Sequence, residues 1–235
     1  MVSGVGAVLR SGFDLLLPSS CLGCATAGVA LCRGCAASTG PPRPHRPDPT
    51  PPGYPQTWVA GSYSGPLRAA VLAYKERGRT DLRTALAERL ALAVAGAAAG
   101  SLADRLLLVP VPSTRAAVRR RGTDHMRQLV RRTAVVLSAV GWSAQPAELL
   151  RLVRNPRDSA GLGAAQRAAN LAGAFTADGL DRLPAGALMV VVDDVVTTGT
   201  TLTQAALALR RAGGPVLAAA VAGTQRRHPR PISAR

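Results

Sequence analysis

At 235 residues the chain suits one full-sized domain plus a small appendage. Apolar residues make up 47% but aromatics only 3%, so the core must be built from Ala, Val and Leu, which favours helices packed on a buried sheet over a sandwich. The net charge of +16 calls for an anionic partner or simply reflects an Arg-rich chain, since Lys75 is the only lysine among 29 basic residues.

The stretch from Val2 to Leu17 is interrupted by Arg10 and Asp14. It falls short of the ~20 apolar residues a membrane span requires. It also lacks a basic segment followed by an unbroken apolar run, which argues against a signal peptide. The expectation is a cytoplasmic protein with no membrane insertion.

Cys21-x-x-Cys24 and Cys32-x-x-Cys35 follow, two knuckles separated by seven residues. Four thiolates in such pairs suit tetrahedral Zn²⁺. A disulfide needs an oxidising compartment, and a redox CxxC does not explain two copies. Residues 1–40 are therefore expected to form an N-terminal helix and a four-cysteine module whose Zn²⁺ is structural, because so small a unit buries little surface alone. Residues 41–55 contain eight prolines and read as a semi-rigid linker. Residues 56–225 read as one domain and 226–235 as a basic tail.

Within the domain, Pro66 to Lys75 is a short helix ending before Gly78, and Asp81 to Ala99 is Ala/Leu-rich and helical. Leu106 to Val111 has strand character. Thr114 to Val140 reads as one long basic helix ended by Gly141, with seven arginines and Asp124 as its only acid between Arg115 and Arg132. That face is either solvated or an anion surface. Residues 154–169, with Arg154, Arg157 and Arg167, are loop-like and suit a mobile flap over a ligand. His45 and His228 are incidental by position, and His125 has no evident partner. Leu188 to Val192 is a buried strand. Leu202, Ala205, Ala206 and Leu209 mark an amphipathic helix stopped by Gly213-Gly214, and Pro215 to Gly223 is another apolar strand. Unbroken apolar strands alternating with helices predict an α/β fold with a doubly wound, mostly parallel sheet.

Asp193 and Asp194 are placed where the buried strand meets a loop, followed by Val195-Val196-Thr197-Thr198-Gly199-Thr200-Thr201. Adjacent carboxylates need a cation or hydroxyl donors beside them. A small-residue loop entering a helix N-terminus is a phosphate cradle, and Gly199 allows its tight turn. A ribose 5-phosphate satisfies both halves.

The run from Leu188 to Thr201, LMVVVDDVVTTGTT, resembles the phosphoribosyl-pyrophosphate (PRPP) signature of type I phosphoribosyltransferases. Residues 63–78, YSGPLRAAVLAYKERG, 109–122, VPVPSTRAAVRRRG, and Arg167-x-x-Asn170 with Gly173-Ala174-Phe175 are similar in order and spacing to the ComF family. That resemblance implies the type I phosphoribosyltransferase fold with a small N-terminal cysteine module. It implies that Asp193 and Asp194 act as the catalytic pair at the ribose hydroxyls and the Mg²⁺-bound ligand. By the same resemblance Thr197, Thr198, Gly199, Thr200 and Thr201 hold the 5-phosphate and Arg115 meets pyrophosphate. Lys75, the lone lysine, is a further substrate-binding candidate, since a compact ammonium differs from a guanidinium. Family members usually carry an aromatic residue, Asn and Gln where Thr123, Asp124 and His125 stand, and a Gln where Ser159 stands.

The ComF resemblance implies two functions, and both remain open. One is Mg²⁺-dependent transfer of the ribosyl 5-phosphate to an unidentified acceptor. The other is a non-catalytic PRPP-sensing accessory protein in DNA uptake and natural competence, binding single- or double-stranded DNA and a competence helicase. Scarce aromatics argue for phosphate contacts over base stacking.

Overall fold

The computed structural model describes residues 20–154, 171–179, 181, 183–211, 213 and 215–224. The expected N-terminal helix before Ser20, the flap positions Arg157, Ser159 and Arg167, Asn170, and the tail with His228 lie outside these residues.

The chain is an α/β protein with a mixed, mostly parallel sheet of six strands. Helix α1 (Arg33–Ala37) follows the cysteine knuckles. Strands β1 (Arg43–His45) and β2 (Thr57–Val59) precede helix α2 (Gly65–Glu76), a 3₁₀ turn (Thr80–Leu82) and helix α3 (Arg83–Ala98). Then come β3 (Leu106–Pro110), α4 (Arg115–Arg121), α5 (His125–Ala139), β4 (Ala144–Pro146), β5 (Leu150–Leu152), β6 (Phe175–Ala177), β7 (Leu188–Val196), α6 (Thr200–Arg211) and β8 (Val216–Gly223). The sheet order is β1-β2-β8-β7-β3-β4, with only β1 antiparallel to its neighbour. β5 and β6 form a separate antiparallel pair.

Both faces of the sheet are covered, which is why β3 and the first half of β7 read as unbroken apolar runs. Leu106, Leu108, Leu188, Val190 and Val192 pack with residues of α2, α3 and α5. Leu107, Val109, Met189 and Val191 pack with α6 and the β5–β6 pair. Every one of these side chains is buried.

Three local expectations change. The basic run from Thr114 to Val140 is two helices, not one. Gly122 takes a left-handed φ of 73° that ends α4, and Asp124 caps α5 by accepting from the Met126 and Arg127 amides. The Pro-rich run is no free spacer. β1 forms the sheet edge, where a strand proline is tolerated, with Pro44 opposite Trp58. Arg89, buried on α3, donates Nη2 to the carbonyls of Gly40 and Ala60, and Arg210 donates to Gly53 O at 2.7 Å. Finally, β7 does not stop at Val192 but continues through the acidic pair to Val196.

Candidate functional site

The acidic pair extends the central strand β7 to the carboxyl edge of the sheet, where open α/β sheets bind ligands. Strand alternation carries Asp194 to the face it shares with Val190 and Val192, under α2 and α5. There Lys75 Nζ, from the last turn of α2, lies 2.7 Å from Asp194 Oδ2. His125 Nε2, from the first residue of α5, lies 3.2 Å from the same oxygen. The Tyr74 hydroxyl donates to His125 O at 3.0 Å, with the two rings edge to face.

Arg121 Nη1 is 3.1 Å from His125 Nδ1. A guanidinium only donates, so Nδ1 accepts and Nε2 carries the proton directed at Asp194. Glu76 closes the chain, its Oε1 3.2 Å from Arg121 Nη2 and its Oε2 3.5 Å from Arg120 Nη2. His125, which no sequence pattern connected to the acidic pair, is thus the main addition to the predicted site. The signal that points to it is local: Gly122 and the Asp124 cap place a helix start at His125.

Electrostatics separate the two carboxylates. Burial alone would raise Asp194, but the His125 hydrogen bond and the Lys75 charge outweigh it and hold Asp194 well below the usual carboxylate range. Burial, reinforced by the charge of Asp194, pushes Asp193 up to about 7. Burial likewise opposes the ammonium of Lys75, yet Asp194 keeps its pKa above the ordinary value. Asp193 Oδ1 also accepts the Asp194 amide at 2.8 Å. The pair therefore holds one firm negative charge, on Asp194, beside a carboxyl on Asp193 that gives up its proton less readily than usual.

The threonine loop follows directly. Gly199 turns with φ +74°, and Thr200 and Thr201 open the 12-residue helix α6. Thr198 Oγ1 and Thr200 Oγ1 are 3.0 Å apart, and Thr203 donates its hydroxyl and amide to Gly199 O. Thr197 is exposed at the loop tip. The Pro-rich segment backs this loop: a Cβ on Gly199 would lie 2.5 Å from Tyr54 Cε2 and 2.9 Å from Pro47 Cγ. Arg115 is exposed as the first residue of α4, just past β3, which pairs with β7. It shares the sheet edge with the acidic pair, and no hydrogen bond or ion pair ties its side chain to another described residue.

The four cysteines form a second, separate centre. Their Sγ atoms all lie within 4.8 Å of one another. Backbone amides of Gly23 and Cys32 point at Cys21 Sγ, at 3.4 and 3.3 Å, and the Cys35 amide points at Cys32 Sγ at 3.4 Å. The Cys32 amide, with further amides, lowers Cys21 to about 6 against the cost of its burial, while the neighbouring sulfurs of Cys24 and Cys32 push Cys35 up to about 12. Four thiols so placed cannot all ionise without a cation among them. The donor set fits a metal such as zinc. Gly23 packs on Cys35 and on Pro66, at the start of α2.

The fold and site define an α/β protein with a mostly parallel six-stranded sheet, a polar cluster at its carboxyl edge and a four-cysteine cluster that could hold a metal. No helix among the described residues is long and apolar enough to cross a membrane. No protein-family model matches the chain, and no curated protein matches it.

Proposed function

We propose that the carboxyl edge of the sheet binds PRPP with Mg²⁺, as in a phosphoribosyltransferase of the ComF family. One observation carries the reading: a hydrogen-bonded carboxylate pair lies near the carboxyl end of the central strand, two residues before a threonine loop that enters a helix N-terminus. Asp193 and Asp194 meet the ribose hydroxyls. Residues Thr197 to Thr201 receive the 5-phosphate through backbone amides, hydroxyls and the positive end of α6. Arg115, exposed just past β3, meets the pyrophosphate in this reading.

Asp193 and Asp194 are the residues that would meet the Mg²⁺-bound ligand, and Mg²⁺ brought with PRPP would supply positive charge for the pyrophosphate leaving group. The chain's own part is electrostatic. Lys75 and His125 hold Asp194 ionised beside the ribose, where positive charge develops as the bond to pyrophosphate lengthens. Zn²⁺ at Cys21, Cys24, Cys32 and Cys35 has a structural role.

Calorimetry with PRPP and Mg²⁺ tests the reading. The wild type is expected to bind, and the Asp193→Asn/Asp194→Asn double variant to bind at least about tenfold more weakly, roughly 1.4 kcal/mol. Absence of wild-type binding, or equal binding by the variant, ends the proposal. Release of pyrophosphate on adding candidate acceptors separates a transferase from a PRPP sensor. The second reading, an accessory protein contacting DNA, draws on the exposed Arg119, Arg120, Arg127, Arg131 and Arg132 of α4 and α5. Its DNA affinity would fall steeply with salt.

A further inference from the structure

A cavity of about 280 Å³ opens between the C-terminal end of α2 and the α4–α5 turn. Lys75, Arg77, Arg120, Arg121, His125 and Gln128 are among its lining residues. Lys75 is already balanced by Asp194. The arginines face a single acid among the residues that line the cavity, Glu76.

The way Glu76 is held is informative. Its two oxygens are each met by a different guanidinium, Oε1 by Arg121 and Oε2 by Arg120. Two guanidinium groups thus share one carboxylate, each through a single charge-assisted contact, and a phosphate could be shared in the same way. The grip on Glu76 is weak, because its side chain is 44% exposed and that of Arg120 66%. Arg121 differs. Its side chain is only 13% exposed, one end is fixed on His125, and its buried Nε has no hydrogen-bond partner among the described residues.

We propose that this cavity is an oxyanion subsite, in which Arg120 and Arg121 take the carboxylate or phosphate of a small molecule and Glu76 is the placeholder it displaces. The volume falls just below the ~300–1,000 Å³ typical of drug-sized ligand pockets, which suits a compact acid. Because Lys75 and His125 both line the cavity and hold Asp194, an anion seated here abuts the carboxylate assigned to the ribose. Resting on the PRPP reading, the subsite specifies the acceptor: it carries an oxyanion, distinct from the phosphates of PRPP.

The test titrates inorganic phosphate and benzoate into the full-length protein at fixed ionic strength, with and without saturating PRPP and Mg²⁺. Two exposed positions are changed, Glu76→Gln and Arg120→Gln. Removing the placeholder is expected to tighten binding of the preferred probe about fivefold, and removing Arg120 to weaken it by about the same factor. Preference for phosphate assigns a phosphorylated acceptor, and preference for benzoate a carboxylated one. Binding is expected to persist with PRPP in place. The proposal is overturned if neither probe binds, if Glu76→Gln leaves the affinity within about twofold, or if PRPP competes the probe away. The last result gives the cavity to the pyrophosphate. Should PRPP itself not bind while the probes still follow both variants, the oxyanion site stands and the ribose reading alone falls.

Discussion

Lys75 and His125 converge on one oxygen of Asp194, Oδ2. Two donors on one oxygen fix the carboxylate plane, and Arg121 fixes the donor by settling the tautomer of His125. Replacing His125 by Leu removes a hydrogen bond to a buried charge and is expected to cost about 1.5–3 kcal/mol of unfolding free energy in urea. His125→Gln, which can still offer an amide N–H, is expected to lose less than half as much. In ¹⁵N spectra of the wild type, Nε2 should carry the proton and Nδ1 the signature of an acceptor. Equal losses for Leu and Gln, or a proton on Nδ1, would sink the donor assignment. Lys75 stood out in the sequence because it stands alone among arginines, but nothing there signalled its pairing with Asp194. The partnership of His125 was not, because 69 residues separate it from Asp194 and only the tertiary fold closes that gap.

At the scale of elements, periodicity located the helices and buried strands well but placed their ends less well. β7 runs on through Asp193 and Asp194 because Val195 and Val196 still pair with β8, so a polar pair did not end the strand. The α4–α5 break was misread because charge continued across it, although Gly122 and the Asp124 cap carried the stop and start signals. The Pro-rich strap was the least legible element. Its prolines exclude a helix, yet nothing local states that Tyr54 and Pro47 will back the loop around Gly199. That contact makes Gly199 doubly constrained, by a φ of +74° and by the Tyr54 ring. Gly199→Ala is expected to destabilise the protein by about 1–3 kcal/mol. Adding Tyr54→Ala should give a double variant more stable than the sum of the two single losses predicts. Strict additivity in denaturant melts would show that the strap does not press on the loop.

At the scale of the whole molecule, the two centres share α2. Cys21, Ala30 and Leu31 belong to the same buried cluster as Leu67, Ala70 and Tyr74 of that helix, and Gly23 sits against Pro66 at its start. Lys75 lies at the other end, on Asp194. Sequence spacing alone indicated a metal at the cysteines but treated the module as an appendage beyond a linker. The packing instead makes it part of the support for the helix that holds the acidic pair. If a metal such as zinc joins the four cysteines, stripping it under reducing conditions lets the thiolates take up protons and removes the crosslink between the two knuckles, which loosens the segment packed on Pro66. A metal bound at about a hundred times its Kd contributes roughly 2.7 kcal/mol, so its removal should lower the melting temperature by about 5–10 °C. The His125 ring signals should shift as well, since α2 carries both Lys75 and Tyr74 against that side chain. Re-adding Zn²⁺ should restore both. A fall in melting temperature with the His125 signals unmoved would mean that the metal stabilises its own knuckle and does not reach the acidic pair through α2.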